Sequence, residues 1–142
     1  MKLTYYDPCW ENTYEIKWEL AGALTHYHNC WGTGTKRLFL QSSEVPNKLP
    51  YVHNCLAQDV YLNEGDEFKL AKINRYGVWE DGMGFRTIAY KLNGDQTDSP
   101  GNDFTQGSEY DNIRVQNSGL YRIYLLNPSS YSHKIAYERV ID

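Results

Sequence analysis

The chain has 142 residues, enough for one domain that buries its own core without metals or crosslinks. Its 14 basic and 18 acidic residues give a net charge of −4 and are mixed along the chain, so neither nucleic acid nor a charged membrane surface is expected as a partner. No apolar run approaches the roughly 20 residues needed to span a bilayer, and the opening MKLTYYDPCW lacks the apolar centre of a signal peptide.

In chain order, residues 14–20 (YEIKWEL) alternate, with Tyr14, Ile16, Trp18 and Leu20 on one face and Glu15, Lys17 and Glu19 on the other. That is the pattern of a half-buried strand. Residues 21–35 read as a polar, glycine-containing loop with Trp31 near its end. A second strand is expected over 36–41 (KRLFLQ), and the following segment, with Pro46 and Pro50, cannot continue it. Residues 60–62 and 67–71 are alternating runs separated by Asn63-Glu64-Gly65-Asp66, a composition that lets a chain reverse, so a hairpin is expected. Within it Phe68 and Leu70 share one face while Lys69 and Ala71 share the other. Residues 74–84 read as a loop carrying Tyr76 and Trp79, with Phe85 just beyond. Further strands are expected over 87–92 (TIAYKL), 112–115 (NIRV), 119–126 (GLYRIYLL) and 134–141 (KIAYERVI), with 93–108 as a long connection rich in Gly, Asp, Asn and Pro.

About eight short strands with regular turn signals and no helical periodicity predict an all-β fold, an antiparallel, immunoglobulin-like β-sandwich forming one domain over residues 1–142. Aromatic residues make up 15% of the chain, with 13 Tyr against 4 Phe. Tyrosine joins a flat apolar body to a hydroxyl, which suits half-wet sheet faces and ligand platforms alike.

Catalysis is not indicated, because there is no G-x-S-x-G elbow, no H-E-x-x-H pair and no phosphate-binding glycine loop. His28-Asn29-Cys30 and His53-Asn54-Cys55 form a doublet, with His26 and Cys9 outside it. Three readings stay open for the doublet: a tetrahedral N/S metal site, a disulfide between Cys30 and Cys55 that leaves Cys9 over, or free thiols. Asn93, Asp95, Asp98 and Asp103 supply oxygens that could hold calcium. None of these is expected to carry the function, and no cofactor is expected.

Trp79 arrives with more informative company. An aromatic ring on a polar, glycine-rich loop has little core to enter and leaves a flat apolar face near water. Such a plate covers the C–H face of a pyranose, and amine or amide groups beside it hydrogen-bond the hydroxyls. Lys69, projecting opposite Phe68 and Leu70, and Asn112, at the start of a strand, are placed to flank it, with Tyr76 on the same loop. The alternative is that Trp79 caps one end of the core, Lys69 is a solvated strand lysine and Asn112 an ordinary turn residue.

The run Asp66-Glu67-Phe68-Lys69-Leu70, then a polar turn and Trp79, then Asp111-Asn112-Ile113-Arg114-Val115, resembles the glycogen-binding domain of the AMP-activated kinase β subunit and related starch-binding β-sandwich modules, including those of gut bacterial surface proteins. The resemblance implies an α-glucan ligand held by Lys69, Trp79 and Asn112. It also implies a second stacking tryptophan, for which Trp31 is the nearest candidate, and the longer turn here brings Lys72 forward as an alternative to Lys69. By the same resemblance the chain would act outside the cell or on its surface, as part of a larger protein or assembly. The competing reading is a structural or adhesive β-sandwich, of the kind that decorates cells or virions, whose exposed aromatics contact another protein.

Overall fold

The computed structural model describes residues 17–27, 29–31, 36–37, 39–40, 55–74, 76–93, 96–98, 101–126 and 134–140. The strands among them are β1 (Lys17–Leu24), β2 (Asn29–Cys30), β3 (Lys36–Arg37), β4 (Phe39–Leu40), β5 (Cys55–Leu62), β6 (Glu67–Ile73), β7 (Trp79–Met83), β8 (Ile88–Asn93), β9 (Gln96–Asp98), β10 (Phe104–Gln106), β11 (Ile113–Val115), β12 (Gly119–Leu126) and β13 (Lys134–Arg139). Single 3₁₀ turns occupy Thr25–Tyr27 and Phe85–Thr87. No helix among the described residues is long and apolar enough to cross a membrane.

Two sheets result. One is ordered β10-β11-β6-β1-β2, with β3 on β1 and β7 on β6; the other is ordered β4-β5-β12-β13-β8-β9. All of these pairings are antiparallel except β13 with β8, which run parallel. The chain is an all-β sandwich, as its alternating runs imply. Between the sheets, Trp18, Leu20 and Leu24 of β1 and Phe68 and Leu70 of β6 meet Tyr121, Ile123 and Leu125 of β12. Each large apolar side chain buried there contributes about 1.5–3 kcal/mol relative to exposure. The Tyr121 hydroxyl donates to the carbonyl of Asn117, four residues upstream, the arrangement of the tyrosine corner in immunoglobulin-like sandwiches.

The connections depart from the expected ones in instructive ways. Val60 to Ala71 does not form a hairpin: β5 pairs with β4 and β12 in one sheet, while β6 pairs with β1, β7 and β11 in the other. The Asn63-to-Asp66 turn therefore arches over the end of the core. Its chemistry is as expected, with Gly65 at φ 91° and the Asp66 carboxylate accepting from the Asn63 backbone N–H (3.0 Å) and the Thr25 hydroxyl (2.9 Å). Alternation looks the same whether two strands pair edge to edge or face each other across a core, so only packing distinguishes them.

The first strand runs on through Ala21 to Leu24, which read as loop. Gly22 is needed there because β1 and β6 approach so closely that a Cβ would lie 2.1 Å from the Glu67 carbonyl oxygen. Residues 14–16 lie outside the described residues. The expected strand over 36–41 divides between the sheets, β3 pairing with β1 and β4 with β5. The connection after β8 is not wholly irregular, for it contains β9 and β10, the latter placing Phe104 in the core.

Asp103 ties the two sheets together just before β10. Its buried carboxylate accepts from Asn117 Nδ2 (2.9 Å) and the Tyr137 hydroxyl (3.0 Å), and is paired with Lys91 Nζ (2.8 Å) and Arg139 Nη1 (3.3 Å). The calcium reading of this segment is corrected at Asp103, whose oxygens are already taken by side-chain cations. Asp95 lies outside the described residues, as do the side chains of Asn93 and Asp98. Burial raises the Asp103 pKa, but hydrogen bonds from Lys91, Asn117 and Tyr137 and the charge of Lys91 outweigh it and hold the carboxyl below its usual range. A carboxyl with a depressed folded-state pKa adds stability above the unfolded value, about 3.9, and loses it as pH falls through the folded value. The denaturation midpoint is thus expected to hold from pH 7 to about 5 and to fall below about 4. Asp103→Asn should flatten part of that acid limb and cost about 3 kcal/mol at pH 7, the low end for a broken buried pair because Lys91 and Arg139 keep some contact with water. Urea titrations across this pH range check both; an unchanged midpoint would remove the pair from the account of stability.

Candidate functional site

The site lies on the outer face of the sheet that contains β6. Burial of Phe68 and Leu70 in the core turns Glu67, Lys69, Ala71 and Ile73 to the opposite side. On β1 the registered partners Ala21↔Lys69 and Glu19↔Ala71 share that outer side. Ala21, Ala71 and Ile73 pack together there as a small cluster separate from the main core. This is a floor of short side chains.

Trp79 opens β7, paired with Ile73 beyond an irregularity at Lys72/Ile73. It is 37% exposed, neither core nor fully free. Its position differs from the expected loop: the segment WEDGM has little intrinsic strand preference, yet its backbone adds an edge strand to β6. Gly82, facing the same way, leaves space beside the ring. A Cβ there would lie 3.6 Å from the Trp79 ring and 3.7 Å from Lys69 Cδ, so the indole and the lysine stem flank a position with no side chain. Among the described residues, Lys69 forms no ion pair.

Trp31 approaches from the other edge. It follows β2, donates its backbone N–H to the Gly22 carbonyl (2.9 Å), and brings its ring centroid within 6.4 Å of Trp79 at an interplanar angle of 50°. Its φ of 63° is in the left-handed region that a bulky side chain rarely adopts. Such a conformation costs about 1–3 kcal/mol and persists only where the surroundings impose it, most often at ligand clamps and active sites.

The structure thus brings together Trp79, Trp31 and Lys69. Tyr76 stands nearby at the end of the β6–β7 hairpin, 73% exposed. Lys72 is on the other side of the pleat, in register with Trp18 and Asp81, and does not share the face of Lys69. Phe85 turns inward and packs against the main core.

Asn112 is 7% exposed and its Nδ2 donates to Glu67 Oε1 (3.3 Å). The same carboxylate accepts from the Ser108 backbone N–H (3.0 and 3.1 Å) and hydroxyl (3.1 Å), and Arg114 Nε lies 3.6 Å away. Burial raises the Glu67 pKa, but the bonds from Ser108 and Asn112 and the charge of Arg114 prevail and leave it lowered. In this arrangement Asn112 fastens the turn before β11 to β6. Glu67 and Gly82 were not singled out in the sequence; the outward position of Lys69 points to Glu67 two residues earlier, whereas Gly82 becomes visible only once β7 is paired.

No group of three or more His, Cys, Asp or Glu among the described residues is arranged to hold a metal ion. His28, His53 and Cys9 lie outside the described residues, as do the side chains of Cys30 and Cys55. Comparison of the chain with protein-family models, with curated proteins and with solved structures gave no match.

Asn112→Ala is expected to lower stability by about 1–2 kcal/mol, since it removes one donor from a buried carboxylate. Chemical denaturation measures it; a variant as stable as the parent would show that the Glu67 bond is not structural.

Proposed function

We propose that this chain is a noncatalytic carbohydrate-binding module for an α-glucan such as starch or glycogen, with Trp79 and Trp31 as stacking plates and Lys69 as the donor to sugar hydroxyls. The observation that carries the reading is the pair of indoles, 6.4 Å apart and tilted by 50°, with the Lys69 stem beside one of them. Two tilted plates match successive rings of a curved chain, as in α-linked glucose polymers, better than the coplanar rings of a flat one. The lack of an ion-pair partner for Lys69 among the described residues leaves its ammonium available to hydroxyl oxygens. Tyr76 would border the plates. Asn112 supports the loop and enters this reading as structure, because its amide is engaged by Glu67.

Affinity would be modest. Each stacked ring adds about 0.5–1.5 kcal/mol beyond its area, while hydroxyl hydrogen bonds largely replace those already made to water. A module of this kind would work outside the cell or on its surface, attached to or assembled with a larger protein. The second reading, an adhesive sandwich, is favoured by Tyr76, Val78 and Tyr110, which are 73%, 55% and 69% exposed and could anchor a protein partner.

Trp79→Ala and Trp31→Ala are each expected to abolish retention in starch or glycogen affinity gels with the circular dichroism spectrum unchanged, and Lys69→Ala to weaken binding by about 1 kcal/mol. Full retention by both tryptophan variants would overturn the proposal. A stable oligomer that ignores glucans in light scattering would favour the adhesive reading.

A further inference from the structure

The β6–β7 hairpin poses a physical problem that core packing does not solve. Residues 79–82 of β7 are all exposed and only Met83 is buried, so hydrophobic packing secures the far end of the strand and leaves the end bearing Trp79 to other forces. Glu, Asp and Gly at 80–82 add no strand preference.

Asn74 supplies what is missing. Its Oδ1 accepts from the backbone N–H of Tyr76 (2.9 Å) and of Val78 (3.1 Å), and its Nδ2 donates to Glu80 Oε2 (3.3 Å). Its own backbone N–H donates to the Val78 carbonyl and its carbonyl accepts from the Gly77 N–H, each at 2.9 Å. Gly77, at φ 79°, allows the reversal. A short side-chain amide that bonds main-chain groups two and four residues ahead is the device by which asparagine holds a turn in one shape.

We infer that Asn74 is the positioning residue of the aromatic face, setting the hairpin end so that the Trp79 indole and the Tyr76 ring stand in one arrangement before a sugar arrives. This rests on the glucan reading above. A plate held in place loses little freedom on binding, whereas a plate on a loose edge strand must be ordered at the expense of affinity. The acceptor oxygen is the part that matters most, because it satisfies two main-chain donors at once.

The test uses the full chain, with the order of the Trp79 indole N–H from nuclear spin relaxation and glucan affinity from calorimetry. Asn74→Ala should lower the indole order parameter and weaken glucan binding roughly three- to tenfold, with the melting midpoint nearly unchanged because the core is untouched. Asn74→Asp combined with Glu80→Gln keeps the acceptor and reverses the side-chain bond, and should restore both readouts. An Asn74→Ala protein with unchanged indole order overturns the assignment whether or not any sugar binds. Failure of the double variant to restore either readout overturns it as well. If Trp79→Ala and Trp31→Ala both bind glucan like the parent, the glucan reading fails, and the role of Asn74 in binding fails with it.

Discussion

The burial of Phe68 and Leu70 is the constraint from which the rest of this face follows. Side chains alternate along a strand, so committing these two to the space between the sheets sends Glu67, Lys69, Ala71 and Ile73 to the other side. A slip of one residue would exchange the two sets and place a lysine in the core. The register of β6 against β1, unbroken from Lys17↔Ile73 to Ala23↔Glu67, then fixes which residues of the neighbouring strand share the outer face. Everything attributed to Lys69 and to the alanine floor depends on that pairing.

Around this frame the molecule handles buried polarity in two places by full partnering. Asp103 and Glu67 are each withdrawn from water, and each has enough donors for its pKa to fall in spite of the desolvation that would raise it. Each also sits where an irregular segment meets a strand: Asp103 joins the segment before β10 to β8 and β13, and Glu67 joins the turn at Ser108 to β6. Buried tyrosines take part, since Tyr137 donates to Asp103 and Tyr124 to Glu138, and burial raises the pKa of both phenols. Three of the tyrosines, Tyr121, Tyr124 and Tyr137, are thereby accounted for as large buried residues whose hydroxyls complete charged networks.

The outer face uses different physics. Trp31 is held in a left-handed backbone conformation, Trp79 stands on an edge strand with little packing of its own, and Gly82 keeps open the space beside it. Each is a departure from what folding alone would favour, and the three occur together. Local rules are most often broken where a surface is shaped for something else. The turn that leads into Trp79 takes its shape from hydrogen bonds to the Asn74 side chain, while the Tyr76 and Val78 side chains stand exposed.

Several features were decided in the amino-acid sequence alone. Alternation in residues 17–20 (KWEL), EFKLA and GLYRIYLL dictated strands and the faces they turn to the core between the sheets, Asn63-Glu64-Gly65-Asp66 dictated a reversal, and the absence of helical periodicity dictated an all-β molecule. Lys69 facing away from Phe68 and Leu70 was readable for the same reason. What only the tertiary structure decided was which strands meet. It made the turn after Leu62 an arch between sheets, made WEDGM a strand, carried Trp31 to within contact range of Trp79, and drew Asn112 inward to Glu67. The reason is that side-chain periodicity reports which face of a strand is buried and is blind to its neighbours; those are chosen by backbone hydrogen bonding between segments remote in the chain.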